Sequence, residues 1–216
     1  MRNWPLYDLR IRTPRLELRL PDLELLDELA ELAARGVHPP EHMPFAVPWT
    51  DRPSPELERS VVQHSLLQVA SWTKERWIYN PVVLNEGRVI GTQDMKGQDF
   101  AVARSFGTGS WLGREHQGHG FGREMRAAIL HLGFAGLGAE EALTSVFSDN
   151  PASLGVSRSL GYERNGVSLV ARRGLPTRHL SYRLSRERWL ATHNLEVQIE
   201  GLEPCLELFG LADRRR

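Results

Sequence analysis

Three glycines at alternate positions, Gly118, Gly120 and Gly122, stand between a strand-like run and a well-patterned helix, and no other stretch restricts the fold as tightly. Glycine admits positive-φ backbone and lets the chain pass close to a ligand. A loop built this way curls around a small group with its amides converging on one point. The helix that follows adds roughly half a positive charge at its N-terminus. Diphosphate suits such a site; a glycine-rich turn that holds nothing is the alternative left open by the loop alone. The helix, from about Gly120 to Ala135, sets Phe121, Met125, Ala128 and Leu132 on one face, and its period leaves Arg123, Glu124, Arg126 and His131 to water.

Spacing disfavours two other phosphate loops. A Walker A loop ends in Gly-Lys-Ser/Thr, whereas Gly122 is followed by Arg123-Glu124. A Rossmann loop normally follows the first strand of a repeated βαβ pattern. Here the loop lies past the middle of the chain.

The flanking segments describe a mixed layout. Residues 15–20 alternate polar and apolar as a half-buried strand, and Pro21-Asp22 offers a turn and a cap for a helix over Leu23–Leu32. Residues 36–53 carry five prolines (Pro39, Pro40, Pro44, Pro48 and Pro53), which forbids a regular helix or inner strand and suggests a binding loop or lid. Ser54-Pro55 restarts a helix running to about Lys74. Strands are expected at Trp77–Leu84, Arg88–Met95 and Ala101–Leu112, with Asn85-Glu86-Gly87 as a hairpin turn. After the glycine loop and its helix come a strand at Ala142–Phe147, a short helix at Pro151–Ser159 and strands at Tyr162–Ala171 and His179–Leu184. A short helix at Ser185–Ala191 and a tail ending in Arg214-Arg215-Arg216 complete the chain. Antiparallel strands first and crossovers later give an α/β (α+β) layered sheet of about seven strands flanked by helices. The main domain is expected at 1–192, with a C-terminal extension at 193–216.

Composition narrows the function class. Lys+Arg and Asp+Glu number 27 each, so the overall basic excess of a nucleic-acid binder is missing. No apolar run approaches the ~18 residues of a membrane span, and Met1–Tyr7 lacks a secretory layout. The single cysteine, Cys205, precludes an internal disulfide and fits the cytoplasm. A homo-oligomer is allowed.

Gln117, Gly120 and Gly122 resemble the fixed positions of the Gln/Arg-x-x-Gly-x-Gly/Ala motif of the GNAT (Gcn5-related N-acetyltransferase) superfamily. Gly109-Ser110-Trp111-Leu112-Gly113 looks like that family's fourth strand, whose splayed end hydrogen-bonds the pantetheine arm of coenzyme A. Asn150-Pro151-Ala152-Ser153 and Leu160-Gly161-Tyr162 resemble the Asn-x-x-Ser…Gly-Phe/Tyr signature of the RimJ/RimL branch. The resemblance spans about residues 12–190, and the tail from Leu195 to Gly210 is similar to actinobacterial acetyl- or succinyl-transferring relatives. It implies acetyl-CoA or succinyl-CoA as acyl donor and a primary amine as acceptor: a peptide or protein α-amine first, then a lysine or a small-molecule amine such as an antibiotic. A non-catalytic acyl-CoA-binding regulator is the rival of a different class. The implied donor-binding set is Trp111, Leu112, Gln117, Gly118, His119, Gly120, Phe121, Gly122, Arg123, Asn150 and Ser153. No metal is expected.

Amine attack on a thioester needs a neutral amine, a polarised carbonyl and a proton for the leaving thiolate. Direct attack needs no enzyme nucleophile, so Cys205 is not required. A backbone N–H near Leu112 is the expected carbonyl donor. Ser153, by its match to the family serine, is the group expected beside the leaving sulfur, and Asp94 is the candidate base. Glu115, His116, His119 and Glu163 remain open as alternatives, as does a water relay. His38, Glu41, His42, Phe45 and Trp49 in the proline-rich loop are expected to line the acceptor. A succinyl carboxylate would call for a cation such as Lys96, Arg172 or Arg173.

Overall fold

Alternating burial draws the strands and capping residues set the helix ends. The computed structural model describes residues 1–211; the last five residues, with Arg214–Arg216, lie outside the described residues. After a 3-10 turn at Pro5–Tyr7 come β1 (Arg10–Arg12) and β2 (Leu16–Arg19), in which Ile11, Leu16 and Leu18 point into the core while their neighbours stay half-exposed. Asp22 accepts a hydrogen bond from the Leu25 N–H (3.0 Å) and starts α1 (Leu23–Arg35), and Gly36, at φ +116°, ends it. The proline-rich loop leads to α2 (Glu56–Ala70).

Next come β3 (Arg76–Tyr79), β4 (Val82–Asn85) and β5 (Arg88–Gln98), a helical turn α3 (Phe100–Ala103), and β6 (Ser105–Leu112). The glycine loop opens α4 (Phe121–His131), extended by a wider turn over Leu132–Gly136. Then follow β7 (Glu141–Phe147), α5 (Pro151–Ser159), β8 (Glu163–Arg172), β9 (Leu175–Ser185), α6 (Arg186–Thr192), β10 (Gln198–Glu200) and a 3-10 turn at Glu203–Phe209.

The sheet is mixed, as expected, but among the described residues it has ten strands rather than about seven. Its order is β10-β1-β2-β4-β5-β6-β7-β9-β8, with β3 on the far end of β5. The first two of three differences account for the count, and the third shortens a strand. The expected strand Trp77–Leu84 breaks at Asn80-Pro81, because proline cannot donate to the ladder. Two three-residue strands, β1 and β10, pair with each other at one edge. Ala101–Leu112 starts as α3 before becoming a strand.

Two apolar layers cover the sheet. α4 packs on one face with Met95, Phe106 and Leu112; α1 and α2 cover the other with Val82, Leu84 and Val89. Residues 193–211 join the first layer: Cys205, Leu206 and Phe209 are buried, and Phe209 meets Trp77 edge-on at 4.9 Å.

The one parallel pairing among the described residues positions the site. β6 and β7 are in register only from Ser105↔Glu141 to Gly107↔Leu143 and then separate, while β6 stays paired with β5 as far as Leu112. The notch so formed opens toward the N-terminus of α4. The Gly113 N–H bonds to Ile90 on β5 (3.0 Å), so backbone alternation turns the N–H groups of Leu112 and Ser110 into the notch.

Candidate active site

At the mouth of the notch, Gly118 and Gly120 hold φ +81° and +82°. Gly120 is the N-cap of α4 and supplies no side chain to its first amides. A Cβ on Gly118 would have no atom within 4 Å, and one on Gly122 would touch only Val156 and Leu112 at ordinary contact distance. Uncapped amides, open space beside them and the helix dipole suit a diphosphate. Gln117 works from behind: its side-chain N–H groups donate to Val37 O (2.7 Å) and Leu112 O (2.9 Å), pinning the loop to the end of β6.

α4 departs from the face read from its period. Glu124 and Arg126, expected in water, are buried. Glu124 accepts from Thr13 Oγ1 (2.6 Å), Arg15 N (3.1 Å) and Arg15 Nε (2.7 Å), which ties the first turn of α4 to the β1–β2 connection. Arg15 also donates to His119 O (3.1 Å) and lies 4.7 Å over the Phe121 ring. Helix period cannot register partners about 110 residues away. Arg123 stays exposed and, with Arg158, borders a cavity of about 180 Å³ between α4, α5 and α6.

Across the notch, Asn150 caps α5 by accepting from the Ser153 N–H (3.1 Å). The half-buried Ser153 spends its carbonyl on Ser157. Both residues stand where β7 has already left β6, as a pair flanking the arm of a ligand held at α4 would.

The opposite face of the sheet holds the other candidates. Asp94 lies over β6, both carboxylate oxygens 2.9 Å from where a Cβ on Gly109 would sit. Its Oδ2 pairs with Lys96 Nζ (3.2 Å), and its Oδ1 is buried with no hydrogen-bond partner among the described residues. His64 on α2, which sequence reasoning passed over, faces this pair. Burial lowers its imidazole below the ordinary value, Lys96 adds to the shift, and Asp94 opposes it. A single histidine on an amphipathic helix gives no signal until the strand it faces is known.

The proline-rich loop is built onto the end of β6 by rings: His38–Phe45 (5.8 Å), Phe45–Trp49 (5.2 Å) and Trp49–Trp111 (5.6 Å). His38 also binds Thr50 Oγ1 (2.7 Å), while Glu41 is exposed and His42 half-buried. The tip of the β8–β9 hairpin clamps this loop. Arg172 donates to Met43 O (3.0 Å) and to both oxygens of Asp149 (2.9 and 2.6 Å); Arg173 donates to Pro40 O (3.2 Å) and both oxygens of Asp51 (2.9 and 2.5 Å). These bonds hold the Asp149 and Asp51 carboxyls below the usual range. Arg172, Arg173 and Lys96 are therefore all occupied by carboxylates. Glu115 pairs with Arg35 (3.4 Å), and Glu163 with Arg188 (2.8 Å) on the far side of the hairpin. Cys205 is remote, and burial pushes its thiol up to about 12, far from a reactive thiolate.

A glycine-loop helix beside a splayed parallel strand pair is the architecture of an acyl-CoA-dependent acyltransferase. Residues 15–163 match the family model described as Acetyltransferase (GNAT) domain, and the chain belongs to that family. Solved structures agree on the fold. A RimL described as a ribosomal L7/L12 α-N-protein acetyltransferase, in complex with coenzyme A, is 18% identical at TM-score 0.65, covering 82% of this chain and 97% of its own. RimJ from Mycobacterium smegmatis, in complex with a CoA disulfide, is 16% identical at TM-score 0.65, covering 89% and 98%. The microcin C7 self-immunity acetyltransferase MccE, in complex with acetyl-CoA and AMP, is 16% identical at TM-score 0.61, covering 80% and 93%. Among the described residues no helix is long and apolar enough to cross a membrane.

Proposed function

We propose that this chain transfers an acyl group, acetyl or succinyl, from coenzyme A to the primary amine of a peptide or protein N-terminus. The carrying observation is the notch between β6 and β7, opening onto the uncapped N-terminus of α4. The loop from Gln117 to Gly122 and the first turn of α4 take the diphosphate, with Arg123 toward the nucleotide end. Trp111, Leu112 and Asn150 border the pantetheine arm. The Leu112 and Ser110 N–H groups face the thioester carbonyl and stabilise the charge that develops on its oxygen. Ser153 gives a proton or hydrogen bond to the departing sulfur.

The acceptor enters from the α2 side, between the proline-rich loop and the β8–β9 hairpin, with His38, Glu41, His42, Phe45 and Trp49 as its wall. Asp94, with a buried oxygen free of partners, takes the amine proton, directly or through water, and His64 stands ready as its neutral neighbour. The work belongs in the cytoplasm, where coenzyme A thioesters are made.

The RimL and RimJ likenesses support a peptide α-amine, whereas MccE, seen with AMP, favours a small-molecule amine as second reading. A thiol-release assay with acetyl-CoA and succinyl-CoA against short peptides, lysine derivatives and aminonucleotides separates them. Fastest release with free-N-terminus peptides supports the proposal; release with aminonucleotides alone supports the second reading. No release with any amine, despite bound coenzyme A, leaves the non-catalytic binder.

A further inference from the structure

Arg126 projects from the second turn of α4 across the floor of the notch, and only about 4% of the residue is exposed. Its Nε donates to Gln93 Oε1 (3.2 Å), Nη1 to Thr144 Oγ1 (3.3 Å) and Nη2 to Ser110 Oγ (3.0 Å). These partners sit on β5, β7 and β6, so the guanidinium bridges the strands at the point where β6 and β7 part. All three are neutral. The other cations considered for this cleft are each held by a carboxylate: Lys96 by Asp94, Arg172 by Asp149 and Arg173 by Asp51. No carboxylate pairs with Arg126 among the described residues, and a buried charge without a counterion is costly.

Two features point to a missing anion. A guanidinium has five N–H groups, and the three bonds above leave one free on each terminal nitrogen, the spacing that grips both oxygens of a carboxylate. Tyr162, 5% exposed, carries a buried hydroxyl without a hydrogen-bond partner among the described residues, close enough to Arg126 and Thr108 to interact with both. A ligand held by its diphosphate at α4 and running down the notch would carry its acyl end toward this floor.

We propose that Arg126, with Tyr162, selects an acyl donor whose chain ends in a carboxylate, a dicarboxylic acid joined to coenzyme A through one end. The inference rests on the acyl-CoA reading of the notch. In the reaction the acceptor nitrogen forms a C–N bond to the thioester carbonyl and the C–S bond breaks. The amine proton leaves to the base, the thiolate is protonated, and the product is an amide bearing a free carboxylate.

The test compares two four-carbon donors that differ only at the chain end, butyryl-CoA and succinyl-CoA, with two-carbon acetyl-CoA alongside; affinities of the full-length protein are measured by calorimetry. Wild type is expected to bind succinyl-CoA at least about tenfold more tightly than butyryl-CoA, the share of one charge-assisted hydrogen bond. Arg126→Met should abolish that ratio, and Arg126→Lys, which keeps the charge without the fork, should leave only part of it. Equal or tighter binding of butyryl-CoA by wild type overturns the inference, and that comparison needs no variant to fold. So does a succinyl preference that survives Arg126→Met. Failure to bind any coenzyme A species would instead remove the acyl-CoA reading beneath it.

Discussion

Replacing Gly118 or Gly120 with alanine probes the loop at the level of single dihedral angles. Both residues hold φ near +80°, where an L-residue costs roughly 1–2 kcal/mol. Space decides where that cost appears. A Cβ on Gly118 meets nothing within 4 Å in the free protein, and one on Gly120 meets only Arg15 Nη2, at 3.4 Å. The loop is tethered through the Gln117 side chain and the His119 carbonyl rather than through Gly118, so in the free protein it relaxes between those points and the melting temperature changes little. The bound conformation is different: the amides must converge on the diphosphate, and the new methyl group occupies ligand space. The same 1–2 kcal/mol then weakens coenzyme A binding by about 5- to 30-fold. Calorimetric titration with coenzyme A, alongside thermal melts of the free variants, reads both quantities. Variants that bind within twofold of wild type would refute the loop as the diphosphate clamp.

Three other outcomes follow from the geometry. Glu124→Ala removes the acceptor of three hydrogen bonds at the start of α4 and, discounting for the half-exposed Arg15, should cost about 1–3 kcal/mol. That is a melting-point loss of about 2–12 °C, and an unchanged melt would contradict the anchoring role. Arg172→Ala removes the hairpin's hold on the proline-rich loop at Met43 O and leaves Asp149 without its arginine, so KM for the amine should rise several-fold while donor affinity holds; a selective loss of donor affinity would argue against the clamp. His64, His131 and His179 are all lowered by burial, so their neutral forms stabilise the fold above the unfolded value of about 6.5 and the contribution is lost as pH falls through the depressed folded values. Melts should weaken from pH 7 toward pH 5, less steeply in His131→Asn; a flat profile would be inconsistent with this reading.

What could be read from sequence was local. The glycine loop, the Asp22 cap and the helix phase of Met125, Ala128 and Leu132 each depend on residues within a turn or two, and the structure contains them. What escaped depends on partners far along the chain. Glu124 reads as a solvent residue until Thr13 and Arg15 arrive, about 110 positions away, and Arg126 until β5, β6 and β7 assemble beneath it. β1 and β10, three residues each, carry too little alternation to announce themselves and exist because they pair across the chain. Arg172 and Arg173 looked free for a ligand only because Asp149 and Asp51 could not yet be placed beside them.

The central claim is that the notch beside α4 holds a coenzyme A thioester. Titrating the full-length protein with acetyl-CoA and succinyl-CoA, with NAD as control, addresses it in one calorimetric series. The account predicts saturable one-to-one binding of the coenzyme A thioesters, competed by free coenzyme A and weakened by Gly120→Ala, with no binding of NAD. Absence of heat with every coenzyme A species, or binding of NAD in their place, would contradict it.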